Sequence, residues 1–150
     1  MFMKALTYLT IALLFTILQA CQSEPKFVRV DDSEVDQAHL EIATELSKAM
    51  LTAQKAGGYY KLTNKEATEA MVYGLSRSLQ KRSYKQIKIA FGDYRDLHFD
   101  HMMRPTDGTL FEVYRFRGEF NPGAEVEVRT VLDANGRLAG FFVKPWRDKF

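Results

Sequence analysis

The sequence predicts an α+β domain in which three N-terminal helices pack on a curved four-stranded antiparallel sheet. Residues 109–145 form three runs that alternate as strands do, separated by the turn signals Asn121-Pro122-Gly123 and Asp133-Ala134-Asn135-Gly136. Residues 33–92 instead repeat apolar side chains at three- and four-residue spacing, which is typical of amphipathic helices. Because such helices need an apolar surface to cover, we expect them to lie on the sheet.

The bulk composition is that of an ordinary globular protein. Hydrophobic residues make up 46% of the chain and charged residues 27%, and a length of 150 residues fits one domain. The formal net charge of +2 is too small to indicate a polyanionic partner by itself. We expect no cofactor, because the sequence has no glycine-rich phosphate loop, nucleophile motif or Cys/His cluster.

The first twenty residues predict a cleaved signal peptide. A short start with the single positive charge of Lys4 precedes an apolar run from Ala5 to Leu18. That run is shorter than the roughly 20 residues that a membrane-spanning helix needs, and it matches the hydrophobic region of a secretory signal. We therefore exclude residues 1–20 from the predicted fold.

Cys21 is the predicted site of lipid attachment. The sequence Leu18-Gln19-Ala20-Cys21 resembles a bacterial lipoprotein box, although Gln19 departs from the usual small residue. Cys21 is the only cysteine, so it has no partner for an intramolecular disulfide. Acyl chains on it predict a partner in the membrane of a bacterial cell envelope. Gln22 favours the outer membrane, on its periplasmic or surface side, if the cell has two. The alternative is an ordinary signal peptide followed by an incidental cysteine.

Residues 21–32 are predicted to tether the lipid to a single domain at residues 33–150. Pro25 and mixed charges are typical of such a linker. Val28 and Val30 leave open a short strand that pairs with the sheet.

The first helix is predicted to begin at a Ser33 cap, with the carboxylate of Asp36 near its positive end, and to stop at Gly57-Gly58. His39 lies away from the apolar stripe and is predicted to be a solvated surface residue. Thr63 and Glu66 have the spacing of a capping box, which predicts a second helix that ends near Gly74.

A third helix is predicted from a Ser76 cap to Gly92, and it has a basic face. Four cations lie opposite its apolar arc, namely Arg77, Lys81, Lys85 and Lys88. Such a stripe is usually only solvated, but it can attract an anionic lipid or polymer. We expect no nucleic acid, because the predicted location is on the outer side of a membrane.

The first predicted strand, after Gly92, carries the titratable residues. Strict alternation sends His98 and Asp100 to one face and His101 to the other, with Leu97 and Phe99. The remaining strands follow the turn at residues 105–108 and complete an antiparallel meander.

Two stretches resemble small uncharacterised bacterial members of the nuclear-transport-factor-2-like (cystatin-like) superfamily. One runs from Leu75-Ser76 through Gln80 and Tyr84 to Phe91-Gly92-Asp93-Tyr94, and the other is residues 128–142, with an Asp-x-x-Gly pattern from Asp133 to Gly136. The resemblance covers roughly residues 35–145 and implies three helices followed by a curved antiparallel sheet. The superfamily includes enzymes, ligand binders and association modules, so fold alone does not give the function.

Weak catalytic candidates are His101, Asp100 and Arg115. They would serve a small enzyme of lyase, isomerase or hydrolase type, in which burial tunes the pKa of a histidine or aspartate for proton transfer. Asp96, His98 and Asp100 share a face, but the outer two are too far apart to complete a metal shell. We therefore expect no metal site.

The favoured hypothesis is a non-catalytic ligand-binding or protein-interaction module. An apolar or peptide ligand would occupy the space between helices and sheet. A homodimer formed through the sheet is an alternative form of this hypothesis. The aromatic side chains that could line this space are Tyr84, Phe91, Tyr114, Phe116 and Phe142. Plain core packing is the alternative role for all of them.

Overall fold

The computed structural model describes residues 26–148, and it confirms an α+β architecture with an antiparallel sheet. The helices are α1 (Gln37–Lys55), α2 (Glu69–Gly74) and α3 (Arg77–Phe91), and a 3-10 turn (Asp32–Glu34) precedes α1. The strands are β1 (Phe27–Arg29), β2 (Asp96–Pro105), β3 (Glu112–Glu119), β4 (Val126–Leu132) and β5 (Leu138–Pro145). The predicted lipidation site and signal peptide lie outside the described residues.

The sheet has five strands in the order β1-β2-β3-β4-β5, so the predicted count of four is wrong. The additional strand comes from the segment predicted as a tether, where Phe27 pairs with Pro105 and Arg29 with Met103. Only three residues form it, and so short a run of strand-forming residues is hard to separate from linker sequence. The predicted meander of β2 to β5 is confirmed.

All of the helix packing falls on one face of the sheet, which we call the helix face. The hydroxyl groups of Ser47 on α1 and Thr130 on β4 lie 2.6 Å apart in the buried contact between them. The buried core joins helix residues such as Met50 and Leu51 to Tyr114 and Phe116 on β3. The opposite surface of the sheet, which we call the outer face, carries Arg115 and Glu127.

The helix starts differ from two predictions. Asp36 is the N-cap of α1 and accepts from the backbone amides of Ala38 and His39, whereas Ser33 lies in the preceding 3-10 turn. Thr63 and Glu66 make the predicted capping contacts, with the Thr63 amide 3.0 Å from Glu66 Oε2. They hold a turn instead of a helix, because Ala67 and Thr68 pair with Leu138 and delay α2.

The third helix follows its prediction. Ser76 caps it by accepting from the Leu79 amide, and it ends at Gly92, whose φ of 88° suits glycine. Among residues 26–148, no helix has the length and apolar character needed to cross a membrane.

Candidate functional site

An open cleft of about 430 Å³ lies between α3 and β5, and we call it the α3–β5 cleft. It occupies the space between the third helix and the sheet, where a ligand was expected. Most of its exposed surface is apolar, and its lining includes Leu75, Ile87, Ala90, Phe91, Phe141, Phe142 and Val143. The rest of the lining is polar, namely Gln54, Gln80, Ser83, Gln86 and Lys144, and such groups fix the orientation of a ligand in an apolar site.

Strand register explains the sheet side of this cleft. Phe141 pairs with Thr130 and Val143 with Val128, so both side chains project to the helix face. Phe142 pairs with Arg129 and projects to the outer face, where it is 53% exposed. Successive residues of one strand therefore present apolar groups on both sides of the sheet edge.

The backbone of β5 is also available at this edge. The Trp146 amide donates to the Glu125 carbonyl at 2.9 Å, which makes these two residues a hydrogen-bonded antiparallel pair. Hydrogen-bonded and non-hydrogen-bonded pairs alternate, so the N–H and C=O groups of Phe141 and Val143 point away from β4. Within residues 26–148, no backbone hydrogen bond from another segment reaches these groups.

The other half of the edge is closed. Leu138 donates to the Glu66 carbonyl at 2.8 Å and accepts from the Thr68 amide at 2.9 Å. The strand also bulges where the pairing shifts between Leu138 and Gly140. The open edge is thus limited to residues 140–144, beside the cleft.

Gln80 holds the end of the cleft at which α3 begins. Its amide nitrogen donates to the carbonyl oxygens of Tyr60 and Leu75, each at 2.8 Å. Its amide oxygen accepts from the Tyr60 amide and from the Gln54 side chain. A buried amide with all of these partners fixes the loop before α3, so this wall of the cleft is preformed.

The five predicted pocket aromatics divide between the cleft and the core. Phe91 and Phe142 line the α3–β5 cleft. Tyr114 and Phe116 are completely buried in the core. Tyr84 is buried too, and its hydroxyl accepts from the Tyr94 amide at 3.2 Å.

The three weak catalytic candidates come together on the outer face. The pairing shifts between Phe99 and His101, so Asp100 is an extra residue in a β-bulge. The bulge reverses the predicted face of His101 and places it beside Asp100, with His101 Nδ1 2.6 Å from the carboxylate. Strict alternation was therefore the wrong assumption for this strand.

The ring of His101 is engaged on both sides. Arg115 Nη1 lies 3.4 Å from His101 Nε2. A guanidinium group only donates, so Nε2 accepts and the ring proton lies on Nδ1, facing Asp100. Burial alone would raise the pKa of Asp100, but hydrogen bonds from His101 and Arg117 outweigh it and lower that pKa. These groups satisfy one another and leave neither nitrogen directed at a substrate.

Glu127 is the centre of the outer-face charges. Its carboxylate accepts from Arg115 at 2.8 Å and from Arg129 at 2.7 Å, and its side chain is 1% exposed. Burial alone would raise the pKa of Glu127, but the two arginines outweigh it and lower that pKa. Trp146 covers the array, with the guanidinium carbons of Arg115 and Arg117 at 4.5 and 3.8 Å from its ring centroid.

A second polar cluster was missed from the sequence. His39 Nδ1 lies 2.7 Å from Glu112 Oε2, and Tyr114 and Arg104 donate to the same carboxylate. The prediction that His39 is simply solvated is wrong, because the first turn of α1 lies over the start of β3. The partners are distant in sequence, and no local pattern indicates them.

The basic face of α3 is exposed, but half of its predicted cations have partners. Lys88 pairs with Asp93 at 3.0 Å, and the guanidinium carbon of Arg77 lies 5.3 Å from the Tyr59 ring centroid. In the part of the chain that the structure describes, Lys81 and Lys85 form no ion pair, and no group of three or more potential ligands could hold a metal.

The chain was compared with protein-family models, with curated proteins and with solved structures. No family model matches it, and neither of the other two searches found a match. The site is therefore interpreted from its own geometry, in which an apolar cleft lies beside a short length of strand edge that no other described segment covers.

Proposed function

We propose that this chain is a lipid-anchored binding module of the bacterial envelope that takes an extended segment of a partner protein in the α3–β5 cleft. The segment adds to β5 as a further strand. The observation that carries the proposal is the cleft beside the outward-pointing backbone groups of Phe141 and Val143. The likeness to the nuclear-transport-factor-2-like superfamily, with Cys21 as the anchor, belongs to the same proposal.

Strand addition suits this geometry. Backbone hydrogen bonds to a sheet edge give affinity, and pockets for alternate side chains give specificity. An extended segment directs every second side chain toward Ile87 and Phe91, while the others lie near Phe142. The helix that forms the other wall has basic side chains and no acidic one, so acidic residues beside the apolar segment complement it.

The alternatives gain less from the structure. The bulge gathers Asp100, His101 and Arg115, which favours an enzyme, but their hydrogen bonds are directed at one another. An adaptor for anionic lipid or polymer would rely on α3, where Lys88 is paired and Arg77 lies over an aromatic ring. The binding module instead uses the α3–β5 cleft, whose exposed surface is mostly apolar.

A proline at the strand edge tests the proposal. The probe is a displayed library of random decapeptides, selected on the wild-type protein and ranked by titration. Val143→Pro removes the outward N–H, and proline is tolerated in edge strands whose N–H faces solvent. We expect at least a tenfold loss of affinity, about 1.4 kcal/mol.

Val143→Ile is the matched control, since it keeps both the N–H and a β-branched apolar side chain. On helix α3, Ile87→Asp in the cleft should abolish binding, whereas Ile89→Asp outside it should not. No selected peptide, or equal affinity for the proline and isoleucine variants, would contradict strand addition.

A further inference from the structure

The turn between β2 and β3 carries exposed apolar side chains directly before β3 begins. Leu110 is 75% exposed and Phe111 is 40% exposed. Asp107, the acid of this turn, is occupied by the Thr109 amide and hydroxyl, at 2.9 and 2.7 Å. The turn thus presents two adjacent large apolar groups, and its exposed carboxylate is held by Thr109.

This turn lies where the chain enters the domain. The Lys26 carbonyl accepts from the Thr106 amide at 2.8 Å and from the Thr106 hydroxyl at 3.1 Å. Phe27 then pairs with Pro105 at the end of β2. The first described residue is therefore fixed to the first residue of the turn.

The length of chain before Lys26 limits how far this turn can lie from the proposed anchor. Lys26 follows Cys21 by five positions, and a fully extended chain of five steps spans about 18 Å. The inference rests on the proposed lipidation of Cys21, which places that residue at the membrane surface. The turn then begins within about 18 Å of the lipid.

We infer that Leu110 and Phe111 insert into the interfacial layer of the phospholipid membrane that holds the anchor. Arg104, which is 44% exposed and pairs with Glu112 at 3.1 Å, lies beside them, and exposed apolar side chains next to a cation are typical of interfacial contacts. The end of the sheet that carries the β2–β3 turn then lies nearest to the membrane. The open edge at residues 140–144 is at the far end of β5, up to about 20 Å higher, and remains accessible to a partner.

Tryptophan placed at two equally exposed sites tests the insertion. Leu110→Trp reports on the turn, and Ile89→Trp, at a position 78% exposed on α3, reports on the opposite end of the sheet. The lipidated full-length variants are reconstituted into phosphatidylcholine–phosphatidylglycerol vesicles with brominated acyl chains, and flotation is measured alongside fluorescence. Trp146 is the same background in both variants.

The expected result is flotation of both variants, with loss of tryptophan emission only for Leu110→Trp. Flotation without quenching would overturn the insertion and leave the anchor in place. Quenching of both variants would overturn the upright orientation, and a blue shift without quenching would assign the turn to a protein contact instead. Failure to float would overturn the anchor and the insertion together.

Discussion

Asp100 is the residue that changes the chemistry of the outer face. As the extra residue of a bulge it moves His101 to the side of Arg115, whereas regular alternation would direct that ring at the core. Glu127 has a similar influence from a single position, because it pairs with Arg115 and Arg129, and Trp146 covers Arg115. These two residues thus determine that the charged groups of the outer face pair with one another.

Removing the charge of Glu127 should strongly destabilise the protein. Glu127→Gln leaves Arg115 without its buried carboxylate partner, and breaking such a pair costs about 3 kcal/mol. We expect that loss in the free energy of unfolding at neutral pH, measured by urea denaturation. Glu125→Gln, on an exposed side chain two residues earlier, should have little effect, and equal losses for both would contradict the role of the pair.

The contribution of Glu127 to the free energy of unfolding should fall as the pH is lowered. The folded protein lowers the pKa of Glu127 below its ordinary value of 4.5, so the carboxylate contributes stability above about pH 4.5. That contribution is lost as the pH falls through the folded pKa. The Gln variant should therefore show a shallower loss of stability in acid than the wild type.

At the scale of elements, α3 shapes one wall of the cleft and its end is fixed by Gly92. This residue has a φ of 88° and a ψ of −163°, a conformation that is essentially restricted to glycine. A Cβ at this position would overlap the side chain of Asn121 in the turn after β3. The helix end and that turn are thus packed too closely for any larger residue.

Gly92→Ala should lower the free energy of unfolding by about 1 to 3 kcal/mol, because it combines backbone strain with this overlap. Gly74→Ala is the control, since a Cβ there meets nothing within 4 Å and alanine favours a helix. Thermal unfolding should separate the two variants, with Gly74→Ala at or above the wild-type midpoint. A Gly92→Ala variant that unfolds at the wild-type midpoint would refute the packing argument.

The elements also indicate what the sequence can predict. Helix α3 was predicted closely, because Ser76 and Gly92 are strong local signals and the apolar spacing between them is regular. Helix α2 began later than predicted, because pairing of residues 66–68 with Leu138 competes with its capping box. The bulge at Asp100 and the pairing of His39 with Glu112 depend on distant partners, so no local pattern predicts them.

At the scale of the whole molecule, the described chain begins near one end of the sheet, and the open edge of β5 extends toward the other. The chain enters beside the β2–β3 turn, and β5 runs from that end toward the open cleft. A space between the third helix and the sheet was expected, but any site was predicted beside residues 97–103 and Tyr114, whereas the cleft lies at β5. Its position at a strand edge depends on the order of all five strands, which no local pattern predicts.

The anchor makes a prediction for the whole chain. Cys21→Ser should leave the protein unprocessed or shift it from the membrane to the soluble fraction, because each buried CH₂ of an acyl chain contributes about 0.8 kcal/mol. Cell fractionation and the mass of the mature N-terminus measure this, with Ser23→Ala as the control. Unchanged membrane partition of the serine variant would refute lipidation.

The half-covered edge of β5 has a consequence for chains crowded together on a surface. A long bare strand edge allows copies to join into extended sheets and aggregate. Here residues 66–68 occupy the edge at Leu138, and Pro145 offers no N–H at the other end. Only a short length of this edge can recruit another strand, which limits growth from β5 while one specific segment can still be held.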